Sequence, residues 1–202
     1  MESFIYCTEA EIIDYLRKLG AGRDSRDTEL SEAVRLKRLY ENNFKKRFLI
    51  GIPVKPEGLR QMQAGKISKD EVIKKFRKED TDVDILIINA ADAGAIQRDG
   101  FDGDVFQMKR LTDRQFNGDF VSSVIEELKK IFAKGYTKSL YLSLYLAVNL
   151  KPQTHKPNWK SLVDFCVQNE VPFIRIILGP IKSEIGAELL VEIYPKLRFV
   201  SV

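Results

Sequence analysis

The sequence predicts an α/β protein with a mixed central β-sheet flanked by helices, and three observations carry that prediction. Residues 140–150 alternate strictly: Leu140, Leu142, Leu144, Leu146, Val148 and Leu150 take one face, and Tyr141, Ser143, Tyr145, Ala147 and Asn149 the other. That is a long strand with one strongly apolar face. Short apolar runs, FLIGIPV at 48–54 and DILII at 84–88, have the length and composition of buried strands. Other stretches repeat apolar residues three and four apart, as helices do. Meander and helical crossover both occur in the resulting order, which suits a sheet with parallel and antiparallel pairs.

The elements can be justified in turn. Thr8 and Glu11 form a capping box for a first helix, Ile12, Ile13, Leu16 and Leu19 make its stripe, and Gly20 stops it. Residues 21–27 read as a polar linker. A second helix spans about Thr28 to Phe44, with Leu30, Ala33, Val34, Leu36, Leu39 and Tyr40 inward. The strand at 48–54 ends at prolines, and residues 55–66 read as irregular. Ser68 and Glu71 offer a second capping box, opening a short basic helix through Val72, Ile73 and Phe76. Strands at Asp84–Ile88 and Val105–Leu111 are joined by a connection holding Gly94, Gly100 and Gly103.

A helix from about Asp119 to Phe132 carries Phe120, Val121, Val124, Ile125, Leu128 and Ile131 as its stripe. After the alternating strand, Asn158 caps a helix through Trp159, Leu162, Val163, Phe165 and Cys166. Strands near Phe173–Leu178, Leu189–Tyr194 and Arg198–Val202 complete the order. The chain reads as a single domain over 1–202. It has an N-terminal helix and linker at 1–27, a core at 28–150, and a C-terminal helix with strands at 151–202 that complete the sheet.

Composition removes several chemistries. The 202 residues are 44% apolar and 31% charged, ordinary for a chain that buries a core. No stretch approaches the roughly 18 apolar residues a membrane span needs. The N-terminus (MESFIYCTEAEI) lacks a basic n-region and a long apolar run, so it does not read as a signal peptide. Two cysteines, Cys7 and Cys166, are too few for a disulfide scaffold, and a reducing cytoplasm is the expected compartment. The single histidine, His155, lies in KPQTHKPNW, so a His-rich metal site is excluded. GxGxxG, GxxxxGK[ST] and GxSxG are all absent. Carboxylates, lysines and a hard metal ion remain as catalytic materials.

Charge is distributed unevenly. The net charge is +4, yet residues 81–119 hold eight aspartates (Asp82, Asp84, Asp92, Asp99, Asp102, Asp104, Asp113, Asp119) against four basic residues. That segment is therefore −4 and the remainder +8. An acidic island in a basic chain suits a cation held beside a polyanion. It is also what turn-forming aspartates beside glycines produce. The second helix and the turn after it contribute Arg35, Lys37, Arg38, Lys45, Lys46 and Arg47. Arg35, Lys37, Arg38, Lys45 and Lys46 are candidates to track a phosphate backbone. The lysines of 66–78 read instead as a solvated face.

One constellation stands out. Asp84 opens an apolar strand, and about twenty residues later a second strand carries Gln107 and Lys109 (DVFQMKRL). Residues two apart on a strand share a face, so Gln107 and Lys109 project together. Paired strands would add the Asp84 carboxylate to that amide and ammonium. The helix before them supplies a further acid, Glu32 first, with Glu29 and Glu41 as alternatives.

This order, a helix with Glu, a strand with Asp, a strand with Glu/Gln-x-Lys, then helix and strand, resembles the PD-(D/E)xK nuclease superfamily. The resemblance covers roughly residues 28–150, and its diagnostic residues are Asp84, Gln107-Met108-Lys109 and Glu32. It implies a restriction-endonuclease-like fold with an N-terminal helical addition. It implies metal-dependent hydrolysis of phosphodiester bonds in nucleic acid, DNA first. Asp84, the Gln107 side chain and the Met108 carbonyl would bind Mg²⁺ or Mn²⁺, Lys109 would orient water or stabilise developing charge, and Glu32 would complete the metal shell. Val83 stands where the pattern has Pro, and neutral Gln107 where it usually has an acid, so weaker metal binding is expected. A homodimer would serve cleavage of both strands. Two other readings stay open: a non-catalytic nucleic-acid-binding or assembly domain with a degraded site, and a small α/β protein whose acidic loop at 92–104 meets a protein partner.

Overall fold

A computed structural model describes residues 3–20, 25–78, 83–93, 102–111, 119–136, 142–148, 157–182 and 188–201. The chain is mixed α/β, with eight strands and six helices among the described residues. It divides into two compact units, Met1–Phe106 and Gln107–Val202.

In the first unit, β1 (Ser3–Cys7), β2 (Phe48–Val54), β3 (Ile85–Asn89) and the opening of β4 (Gly103–Leu111) form an antiparallel ladder in chain order. The register sets Ile50 opposite Ile87 and Ile85 opposite Phe106, so these side chains share one face. Helix α2 (Ser25–Phe44) covers it. Tyr40 of α2 meets Phe48 edge-on at 5.4 Å and Phe106 at 6.3 Å, and its hydroxyl donates to the Asp104 carboxylate. Helix α1 (Glu9–Leu19) begins at Thr8, whose capping box with Glu11 forms as expected. The same holds for Ser68 and Glu71 at α4 (Lys69–Phe76).

The structure adds two elements that the sequence reading lacks. β1 precedes α1 with only Ile5 and Cys7 fully buried. The stretch read as irregular contains α3 (Pro56–Gln63), which starts with Pro at its first turn and buries only Gly58, against Phe76. Helix α2 also begins at Ser25, inside the stretch read as linker, and not near Thr28.

In the second unit the strand order is β4, β5 (Leu142–Val148), β6 (Arg175–Lys182), β7 (Glu188–Tyr194) and β8 (Arg198–Ser201). β5 and β6 are parallel, joined through α6 (Trp159–Gln168), and β6, β7 and β8 are antiparallel. The mixed sheet that the sequence predicts is present here. β5 departs from its expected half-apolar character, because all seven of its residues are buried. Its second face carries Ser143, Tyr145 and Ala147, and the Tyr145 hydroxyl donates to the Gly179 carbonyl at 2.9 Å. Trp159 packs edge-on against Phe120, the first residue of α5 (Phe120–Phe132), and against Phe199, as a packing residue should. His155, Asp82, Asp99, Asp113, Tyr141 and residues 21–24 lie outside the described residues.

Candidate functional site

Asp84 stands at the bend leading into β3, partly buried, and its backbone amide donates to the Phe106 carbonyl at 2.9 Å. The pairing that puts the acid-bearing strand beside β4 is therefore made in backbone hydrogen bonds. On β4, Gln107 is 2% exposed and Met108 3%, while Lys109 is partly exposed. Gln107 and Lys109 share one side of the strand and Met108 takes the other, as alternation requires. The Lys109 ammonium has no hydrogen bond or ion pair among the described residues.

The three candidate helix acids are each engaged. Glu32 is 8% exposed, and its Oε1 lies 2.5 Å from Nη1 of Arg35 one turn later. Glu29 holds the buried Arg77 at 2.8 Å. Glu41 accepts from the Phe48 amide at 3.0 Å and holds the Lys37 ammonium at 2.7 Å. Glu41 thus fastens the end of α2 to the start of β2, a structural duty.

The candidate phosphate-tracking residues separate by the same test. Lys37 is buried at 6%, between Glu41 and, at 3.6 Å, Glu9. Arg38 donates twice to Glu9 Oε1, at 2.5 and 3.0 Å, and this holds the Glu9 carboxyl below the usual carboxylate range. Arg35 is taken by Glu32. Lys46 donates to Asp102 at 2.8 Å, raising the ammonium pKa and lowering the carboxyl's. Only Lys45 of the five has no side-chain partner among the described residues. Sequence spacing put these cations on one helix and the turn after it but could not show that Glu9 of α1 and Asp102, just before β4, would meet Arg38 and Lys46.

Two residues escaped the sequence reading. Arg77, inside a run read as solvated, is buried against Glu29. Phe44, read only as the end of a helix, is 52% exposed. Nothing in periodicity distinguishes them, since the first needs a distant partner and the second needs the absence of one.

Among the described residues no group of three or more His, Cys, Asp or Glu side chains is arranged to hold a metal ion. The proposed donors are all oxygens: the Asp84 carboxylate, the Gln107 amide and the Met108 carbonyl. That set suits a hard cation in kind, with a single formal charge. No helix among the described residues is long and apolar enough to cross a membrane. No family model matches the chain, and neither a curated protein nor a solved structure matches it.

Proposed function

We propose that this chain is a metal-dependent nuclease of the PD-(D/E)xK type, hydrolysing phosphodiester bonds in nucleic acid, with DNA the leading substrate. The observation that carries the reading is the β3–β4 pair. Asp84 is hydrogen-bonded through its backbone to the residue that precedes Gln107, and Gln107 and Lys109 share a face of β4. Sequence order alone would allow Asp84 and the Gln-x-Lys strand to be far apart in the fold. Their strands are instead adjacent.

In this reading Asp84 supplies the charged oxygen ligand, and the Gln107 amide and Met108 carbonyl supply neutral ones. Glu32, the helix acid of the resemblance, is held by Arg35 on α2, which covers the Phe106 face of the β3–β4 pair and not the face to which Gln107 and Lys109 point. Mg²⁺ or Mn²⁺ bound by these oxygens would polarise the phosphoryl group and lower the pKa of a bound water. Lys109 keeps its ammonium without a competing acid among the described residues, so it serves to orient the attacking water and to stabilise charge on the phosphorane-like transition state.

The test is cleavage of duplex, single-stranded and branched DNA and of RNA by wild type and by Asp84→Ala, with Mg²⁺, with Mn²⁺ and with chelator. Metal-dependent cutting by wild type is expected, with at least a hundredfold loss in the variant. Cutting that survives Asp84→Ala would refute the assignment. A second reading, a nucleic-acid-binding domain without catalysis, is favoured by the neutral, buried Gln107. It expects binding on these substrates with no cleavage.

A further inference from the structure

The turn from α2 into β2 presents residues 42–47 in an exposed row, Asn42-Asn43-Phe44-Lys45-Lys46-Arg47. A phenylalanine closing an amphipathic helix normally turns inward. Phe44 instead leaves half its surface in water, while its ring is braced by two others. Its centroid lies 5.6 Å from Tyr40 and 6.0 Å from Phe48, both in tilted contact and both buried. The ring is therefore held in a fixed attitude by the core below it.

The next residue is unusual in a second way. Lys45 takes φ 52°, the left-handed conformation that ends many helices and that glycine adopts without strain. A lysine there costs on the order of 1 kcal/mol relative to the ordinary helical region. Its amide closes the helix onto the Glu41 carbonyl at 2.9 Å, and that bond needs no side chain. The cation also stands at the negative end of the α2 dipole, where positive charge is favoured.

The charge is also uncompensated. Neither Lys45 nor Arg47 has a side-chain hydrogen bond or ion pair among the described residues. Lys46, between them, is paired with Asp102 at 2.8 Å. Two cations with no acid partner among the described residues thus follow a braced, outward-facing aromatic ring in the same turn.

We infer that this turn binds unpaired nucleotides, with a base stacked on Phe44 and the adjoining phosphates against Lys45 and Arg47. Stacking on an aromatic face between cations is the recurring way to hold single strands, and it requires bases free of a duplex. A protein partner fits less well. Phe44 is the sole exposed large hydrophobic side chain among the described residues of its unit, too little apolar surface for a protein interface. The inference rests on the nucleic-acid reading above and sharpens it to strand state.

The experiment is fluorescence anisotropy with a labelled oligothymidylate and with a duplex of matching length, in chelator so that nothing is cut. Wild type should prefer the single strand. Phe44→Ala should weaken that binding about 5- to 100-fold, while Phe44→Tyr retains it. Replacing Lys45 and Arg47 together by Gln should lower the slope of log affinity against log salt by roughly 1.4. Thermal melting of each variant checks folding, and Phe44→Tyr keeps the test valid if the alanine variant melts early. Equal binding by wild type and Phe44→Ala, no preference for the single strand, or a Phe44 effect seen only on self-association would each overturn the inference. Binding that behaves as expected in a protein that cuts nothing with Mg²⁺ would defeat the nuclease assignment and leave this one standing. Cleavage together with unchanged Phe44→Ala binding would do the reverse.

Discussion

At the scale of single residues, the tightest geometric demand in the first unit falls on Gly103. It stands opposite Ile88 at the start of β4, and a Cβ there would lie 2.1 Å from the Ile87 carbonyl oxygen. No rotamer relieves that, because the neighbour is backbone. Gly103→Ala should therefore separate the β3–β4 ladder locally and cost about 3 kcal/mol or more. Urea unfolding would measure it, and a loss under about 1 kcal/mol would show that the strands yield. Since β3–β4 pairing brings the Asp84 backbone to Phe106, the residue before Gln107, the same variant should lose the proposed nuclease activity while Asp84, Gln107 and Lys109 remain intact. The sequence flagged Gly103 as a loop glycine. Alternation tells which way a strand residue points but not how closely a neighbouring backbone approaches.

At the scale of elements, α1 and α2 are joined by a charged cluster in which Glu9 meets Arg38 and Lys37, and Lys37 meets Glu41. The hydrogen bond from Arg38 is the main reason the Glu9 carboxyl titrates below its ordinary value of 4.5. A carboxyl with a depressed pKa in the folded state stabilises the fold above its unfolded pKa, and that contribution fades as pH falls through the folded value. Glu9→Gln should therefore be less stable than wild type at neutral pH, and the gap should close on acidification below about 4.5. Urea midpoints across that range would check it. A gap independent of pH would assign the contact to packing. Elements with their own local signal were legible from sequence: both capping boxes, the α5 stripe and the β2 and β3 runs are where spacing put them. β1 and α3 were not, because each buries too little of itself to leave a period. α3 offers the core only Gly58, and Pro56 at its first turn was the one clue to a helix start.

At the scale of the whole molecule, the division into two units falls inside β4, between Phe106 and Gln107. No linker composition marks it, since a continuous strand needs none, and so the sequence reads as one domain. The candidate site was legible only as residue types in order; burial and counter-ions came from chain segments far apart in sequence. Metal linkage tests what those parts do together. An ion that binds only the folded chain adds about 1.4 kcal/mol at ten times its Kd, a rise of about 3–6 °C in Tm for a protein of this size. If the proposed site is right, wild type should show such a rise with Mg²⁺ only at millimolar concentrations, because Asp84 would be its lone charged strand ligand. Asp84→Ala should abolish it. Gln107→Glu should act in two directions. Burying a carboxylate at a position only 2% exposed lowers Tm in chelator, and the added charge enlarges the Mg²⁺-dependent increment. Differential scanning calorimetry with and without Mg²⁺ reads both effects in one experiment. If all three proteins respond alike, the ion is acting on surface charge, and Asp84 with the oxygen donors of β4 is not its site.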